Sequence, residues 1–490
     1  MKKYIIITLA AAIALTGCSK FLDIRMEGSM PSSGIDYSKP ENIFLPVSAA
    51  YASMRLAEGE AQNYIAVMEV PSDDADKGSS DSDGVTVLEF DNFTYGPGNN
   101  HISAVWTIFY NIVSAANYAV ESMDRYKEAI TSEDGLLQVE QCRAEAKVIR
   151  AYAYWNLVRI FGRVPLIDRT MSAEELAAMK VSSVEDLYKF IYQDLDAAIE
   201  NLPNSFADYK GRYNKYTALA LKAKVAMYNK DWTESARCAD EVIASGRYSL
   251  QSRFADAFSV EYEGGSESLM EIESSALRQT SDPLPVNYYA FIQGPRGNKE
   301  PFQGWGYKVP SQKLIDWMDG RGDAIRRKVT VLERGENKDD EISSNCINPY
   351  YNGKVYTPRE WNTRSYNAYG LEHNQRLIRY ADVLLIFAEA MENGAAITPV
   401  SGYTSATALN EVRSRAGLPA VAPTLENIYD ERRAELALEE NRFFDLVRWG
   451  KAVEVLGPLG FKAGKNELFP VPSAQMELNP NLPKTPGYVY

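Results

Sequence analysis

Histidine is nearly absent from this chain of 490 residues: there are two, His101 and His373, far apart in sequence. A histidine-rich metal centre is therefore poorly supplied, and a Ser-His-Asp triad would have to use one isolated imidazole. Positive charge is also short. Lys and Arg total 52 against 66 Asp and Glu, a net charge of −14, and no basic stripe appears. Phosphate backbones require such a stripe, so a nucleic-acid partner is excluded from the leading readings. The apolar run near the start, Tyr4 to Leu15, is too short to span a bilayer.

What is present is an ordinary globular composition, 45% hydrophobic and 24% charged, with an excess of tyrosine: 31, beside 17 Phe and 7 Trp. Such rings can stack on sugars, although packing between helices is their commoner use. Lys2 and Lys3 precede the short apolar run, and Leu15-Thr16-Gly17-Cys18 follows it. That order resembles a lipoprotein signal: residues 1–17 are removed, and Cys18 becomes the lipid-bearing (palmitate-type) first residue. Several acyl chains on one cysteine anchor a protein stably, where a single chain would not. Three cysteines then remain, Cys142, Cys238 and Cys346, and an odd number cannot pair completely. Cys142 and Cys238 lie in helical patterns, which favours buried thiols. Residues 18–40 read as a tether, and 41–490 as one domain.

Helical periodicity runs over roughly 41–249 and 373–450. Long helices are predicted from His101 to Lys127 and from Gln141 to Phe161, the second apolar on nearly every side and closed by Gly162. Helix pairs follow at Tyr216–Tyr228 with Trp232–Ser245, and at Arg376–Asn393 with Ser405–Ala416. The pattern predicts a mostly α fold, a tetratricopeptide-like scaffold of helical hairpins with little β. It is interrupted at about 250–372 by a Gly-, Pro-, Asn- and aromatic-rich insertion and ends in an extended segment, 451–490. Loops on a rigid scaffold are the usual home of binding residues.

The acidic stretch SDDADKGSSDSDG after Pro71 invites a calcium reading. Aligned from Ser79 as an EF-hand loop, it lacks the first carboxylate and places Phe90 where a glutamate belongs, so that motif is rejected. A looser calcium site at Asp74, Asp81 and Asp83 stays open, with a solvated loop as the default. From Thr424 to Gly450 a single helix is predicted, with Leu425, Ile428, Leu436, Phe443 and Leu446 on one face. That face also carries Arg432 and Glu439, whose burial would demand ion-pair partners on neighbouring helices.

Seven stretches taken together resemble the SusD/RagB family of outer-membrane nutrient-binding lipoproteins. They are CSKFLDI from Cys18, VWTIFYNIVSAANYAVE from Val105, EAKVIRAYAYWNLVRIFGRVPLID from Glu145, RLIRYADVLLIFAEA from Arg376, ALNEVRSRAGLP from Ala408, ERRAELALEENRFFDLVRWGKA from Glu431 and LFPVPSAQMELNPNLPKTPGY from Leu468. The resemblance implies a lipid-anchored protein at the outer membrane, facing the exterior and partnered by a SusC-like TonB-dependent transporter. It implies capture of an oligosaccharide, or alternatively an oligopeptide, with no cofactor, no catalytic residues and no enzymatic activity. Candidate ligand contacts in the matching loops are Asp73, Tyr95, Asn100, Tyr289, Trp305, Tyr307 and Tyr366. Two other classes remain: a lipid-anchored helical-repeat adaptor, and a hydrolase using Glu435, Glu439 or Glu440.

Overall fold

The computed structural model describes residues 34–207, 209–274, 287–298, 303–336, 342–357 and 373–490. Cys18, Trp361 and Tyr366 lie outside the described residues. The described chain is mostly α. Two short helices, α1 (Leu45–Ala52) and α2 (Glu58–Met68), lead into the two longest, α3 (Asn100–Ala129) and α4 (Glu133–Phe161). Next come α5 (Val184–Asn201), α6 (Lys215–Tyr228) and α7 (Trp232–Ala244). The insertion supplies α8 (Gln312–Arg321) and α9 (Ala324–Thr330). The scaffold then resumes with α10 (Tyr380–Glu392), α11 (Ser405–Arg415), α12 (Leu425–Leu436) and α13 (Arg442–Arg448).

Short polar side chains set many of the helix starts. Asn99 accepts from His101 N at 2.9 Å, Ser183 from Asp186 N at 3.0 Å and Thr404 from Thr407 N at 3.1 Å. Each satisfies an amide that the first turn leaves without a partner. Sequence neighbours pack as antiparallel pairs, α3 on α4, α4 on α5 and α6 on α7, while α10 is embraced by α6, α7, α11 and α12. The all-round apolar character of α4 has its reason here, since Val148, Ala151, Leu157 and Ile160 face different neighbours and are all fully buried. Each large apolar side chain so buried contributes about 1.5–3 kcal/mol.

Buried charges tie the helices together. Arg150 pairs with Asp194 at 2.7 Å and donates to Asn117 at 2.8 Å, joining α3, α4 and α5. Lys224 and Arg432 share Asp382 at 2.7 and 2.8 Å, and Arg432 also reaches Asp445 at 3.2 Å. Glu439 is held by Arg379 at 2.8 Å and Lys354 at 2.6 Å. Burial raises the Glu435 and Glu439 carboxyls, but their cationic neighbours, Arg415 and Arg379 foremost, outweigh it and hold both ionised.

Two elements differ from the sequence expectation. The single helix predicted from Thr424 to Gly450 is two, α12 and α13, because Leu438 and Glu440 adopt left-handed backbone at φ 63° and 56°. Such residues cost on the order of 1–3 kcal/mol each. They persist because the break lets Glu439 join Glu435 on Arg379 while Glu440 turns to the buried Lys308. The helix predicted from Arg376 begins only at Tyr380. Residues Gln375–Arg379 form a strand, β6, paired antiparallel with β2 (Ser268–Ile272). The cross-strand Arg379–Glu267 pair at 2.6 Å, a non-local contact, favours this arrangement over a longer helix.

The pairing that matters most for function joins the acidic stretch to the insertion. Strand β1 (Ala75–Gly78) runs antiparallel to β3 (Tyr307–Pro310), with Asp76 opposite Val309 and Gly78 opposite Tyr307. Gly78 has φ 71°, and a Cβ there would lie 2.2 Å from the Gly306 carbonyl, so only glycine permits this approach.

Candidate functional site

The β1–β3 pairing carries the start of the 79–84 turn up against Gly306, the residue after Trp305. Ser79 N donates to Gly306 O at 2.6 Å, and Lys77 Nζ donates to the carbonyls of Ser80 and Asp83, both at 2.9 Å. The Ser79 and Ser80 hydroxyls donate to Asp83 Oδ2 at 2.9 and 2.6 Å. Arg296, from the turn opposite, closes the arrangement: its Nη1 lies 2.5 Å from the same Asp83 oxygen, and its guanidinium carbon 5.1 Å from the Trp305 ring centre. Hydrogen bonds from Ser80 and Ser79, with the Arg296 charge, hold the Asp83 carboxyl below its ordinary range.

Trp305 itself is 39% exposed, an unusual position for an indole. The arrangement is thus a partly exposed indole flanked by a fixed guanidinium, an ionised carboxylate and the half-buried Ser80 hydroxyl, with the buried Ser79 hydroxyl bracing Asp83 from within and Asp81 exposed. Chemically it can stack a flat, weakly apolar ring and offer hydrogen bonds at its edge. Among the described residues it carries no activated nucleophile.

The same turn reaches a second feature. Thr86 Oγ1 lies 2.8 Å from His101 Nε2, and Asn63 Oδ1 lies 2.6 Å from Nδ1, so the turn, α2 and the start of α3 are knit through one imidazole. Burial lowers the His101 pKa to about 4. Beside it opens a groove of about 530 Å³, walled by Glu60, Asn99, Asn100, Ser103, Thr107 and Glu477 among others. Asn100 is exposed on the first turn of α3.

Of the candidate contacts, Trp305 and Asn100 are accessible and four others are not. Asp73 pairs with Arg442 at 2.7 Å and Arg433 at 2.9 Å and is buried between them. Tyr95 is 1% exposed, stacked between Phe90 and Phe469 at centroid distances of 5.0 and 5.1 Å. Tyr289 is buried and donates to Glu440 at 2.6 Å, and Tyr307 is buried in β3. These side chains plug the turns onto the scaffold and present no face to a ligand. The calcium reading is also corrected, because Asp74 is fully buried against Arg433 at 2.7 Å while Asp83 is committed to Arg296. With Asp81 exposed at the turn tip, the three carboxylates have no common centre, and among the described residues no cluster suited to a metal occurs.

Sequence reasoning missed Arg296, Ser79 and Ser80 as parts of this surface. Arg296 stands in a Pro-Arg-Gly turn, the local signal for a side chain set at a loop tip. The hydrolase carboxylates are committed to the framework: Glu435 and Glu440 are buried, Glu439 is bridged by Lys354 and Arg379, and the cavity that Glu439 and Glu440 line measures only about 20 Å³. The remaining cysteines, Cys142, Cys238 and Cys346, are buried free thiols. No helix among the described residues is long and apolar enough to cross a membrane.

Comparison with known proteins agrees along the whole chain. A profile described as the SusD family matches residues 340–460, and another, described as starch-binding associating with outer membrane, matches 20–227. SusD-like protein P2 of Formosa agariphila is 29% identical over an alignment covering all of both chains. A SusD-like protein of Bacteroides ovatus is 25% identical over 72% of this chain and 66% of its own. Among solved structures, a laminarin-binding SusD-like protein superposes with a TM-score of 0.78 at 29% identity, covering 91% of this chain and 99% of that one. Surface glycan-binding protein A from Bacteroides fluxus gives 0.78 at 25% identity, over 92% and 100%.

Proposed function

The chain belongs to the SusD/RagB family, and from that premise we propose that it is a non-enzymatic surface lipoprotein that captures a glycan for import. The observation that carries the reading is Trp305, an exposed indole held at the edge of a rigid β1–β3 ribbon with Arg296 and Asp83 beside it. A pyranose lays its C–H face on the indole while its equatorial hydroxyls exchange hydrogen bonds with the charged and hydroxylated rim. Neutral sugars suit this surface, because the Arg296 charge is already matched by Asp83. The relative that binds laminarin supports a glucan as the first ligand to try.

Delivery requires an anchor and a recipient. In this reading Cys18 carries the lipid that holds the protein at the outer membrane, facing outward. A SusC-like TonB-dependent transporter takes the glycan. The family description that associates such proteins with the outer membrane supports the location. Loose binding fits the task, since a captured glycan has to be released to the transporter.

The test is calorimetry of the mature protein against laminarin, starch oligosaccharides and a tryptic peptide mixture. Heat of binding with a glycan is the expected result. Binding of peptides alone would transfer the role to oligopeptide capture, and no binding to any of the three would remove the capture reading. Cys18→Ala should move the protein from the membrane fraction to the soluble one, and affinity purification of the anchored form should recover a TonB-dependent barrel.

A further inference from the structure

Beneath the exposed surface lies a charged cluster that the capture reading does not use. Lys308, in the middle of β3, is fully buried and has φ 55°, left-handed for a residue with a side chain. Its ammonium lies 2.5 Å from Glu440 Oε1 and donates to Tyr289 Oη and the Leu438 carbonyl, each at 3.0 Å. Glu440 N in turn donates to the Glu69 carboxylate at 2.5 Å, and the other Glu69 oxygen is buried with no hydrogen-bond partner.

The geometry is concentrated in a way that packing alone does not require. Lys308, Leu438 and Glu440 are all non-glycine residues in left-handed backbone, and all three meet at this one ammonium. The elements they come from are the β3 ribbon, the α12–α13 break and, through Glu69, the end of α2. Lys308 stands three positions after Trp305 and next to Tyr307, whose strand partner Gly78 opens the 79–84 turn. Whatever fixes Lys308 therefore fixes both halves of the exposed surface, Trp305 on one strand and Asp83 beyond the other.

We propose that Lys308 is a positioning residue for the glycan surface: its buried ammonium, seated on Glu440, Leu438 and Tyr289, locks the β3 ribbon to the framework so that Trp305 and the 79–84 turn are set before ligand arrives. Preorganisation of this kind raises affinity by removing the ordering cost from the binding step. Loss of the ammonium strands the Glu440 carboxylate, and the left-handed residues lose the bonds that hold them. The positioning effect rests on the capture reading for its consequence, but the ordering of the ribbon does not.

The test uses the full mature chain carrying Lys308→Met, with Lys308→Met/Glu440→Gln as the variant in which the Glu440 charge is not stranded, and Arg150→Met as a control weakened elsewhere. Hydrogen exchange of residues 79–84 and 303–310 is measured beside that of α4 and α10, and laminarin affinity is measured by calorimetry. The ribbon and turn should exchange at least about tenfold faster in the Lys308 variants with α4 and α10 unchanged, and laminarin should bind about tenfold more weakly. Arg150→Met should lower the melting temperature without either effect. A folded Lys308 variant whose ribbon exchanges as in the parent overturns the proposal, as does faster exchange spread evenly over all helices. If the parent does not bind laminarin, the exchange result still decides the role of Lys308, and only the capture reading fails.

Discussion

Removing the indole of Trp305 separates stacking from the rest of the surface. The side chain is 39% exposed, and a tryptophan presents up to about 250 Å², so about 100 Å² is available to a ligand. A sugar covers one face and part of an edge, or about half of that area. At about 25 cal/mol per Å² this is worth about 1–1.5 kcal/mol, a rise in Kd of roughly tenfold for Trp305→Ala. The Arg296–Asp83 pair and the hydroxyls of Ser79 and Ser80 survive the change, since their bonds to one another do not involve the ring. Binding should weaken without vanishing, and the helical circular dichroism should be unchanged. The assay is calorimetric titration of parent and variant with laminarin at one salt concentration. A Kd within about twofold of the parent, beside intact circular dichroism, would refute the assignment of Trp305 as the stacking surface.

Three further outcomes follow from buried groups. Arg379→Met leaves Glu267, Glu435 and Glu439 short of a cation, which costs about 3–5 kcal/mol; for a chain of this size that is a fall of roughly 3–5 °C in melting temperature, and a scan showing less than about 1 °C would contradict it. His101 is neutral in the fold, with its pKa lowered by burial from 6.5 to about 4, so its contribution is whole above pH 6.5 and is lost as pH falls toward 4. Urea unfolding should show the stability gap between parent and His101→Gln narrowing by about 3 kcal/mol from pH 7 to pH 4, a comparison in which the buried carboxyls cancel, and a constant gap would sink the reasoning. Burial raises the Cys142 thiol to about 12 and that of Cys238 further, so iodoacetamide should leave both unlabelled in the folded protein and modify them in guanidinium; rapid labelling of the native state would contradict their placement.

Much of this protein was legible in one dimension because the causes are local. Periodicity and glycines after helix ends place α3, α6, α7 and α11 to within a few residues, and α4 at its end though not at its start. The order of residues around Cys18 raises the expectation of a lipid anchor, and seven separated motifs together carry the family resemblance. The demand that Arg432 and Glu439 be paired also follows from sequence, since burial of an unmatched charge is costly wherever it occurs.

Tertiary structure alone decided which aromatic and acidic residues reach the surface. Tyr95, Tyr289, Tyr307 and Trp305 stand in similar Gly-rich stretches, yet three are enclosed by residues distant in sequence and one is not. Asp73 and Asp83 belong to one acidic run, and what separates them is Arg442 in α13 for the first and Arg296 for the second. The break between α12 and α13 is likewise invisible in the helical pattern, because its reward lies in buried ion pairs with Lys308 of β3, Arg379 of β6 and Lys354. Exposure and charge pairing are properties of the packed whole: they depend on what the rest of the chain brings alongside, and no window of neighbouring residues contains that information.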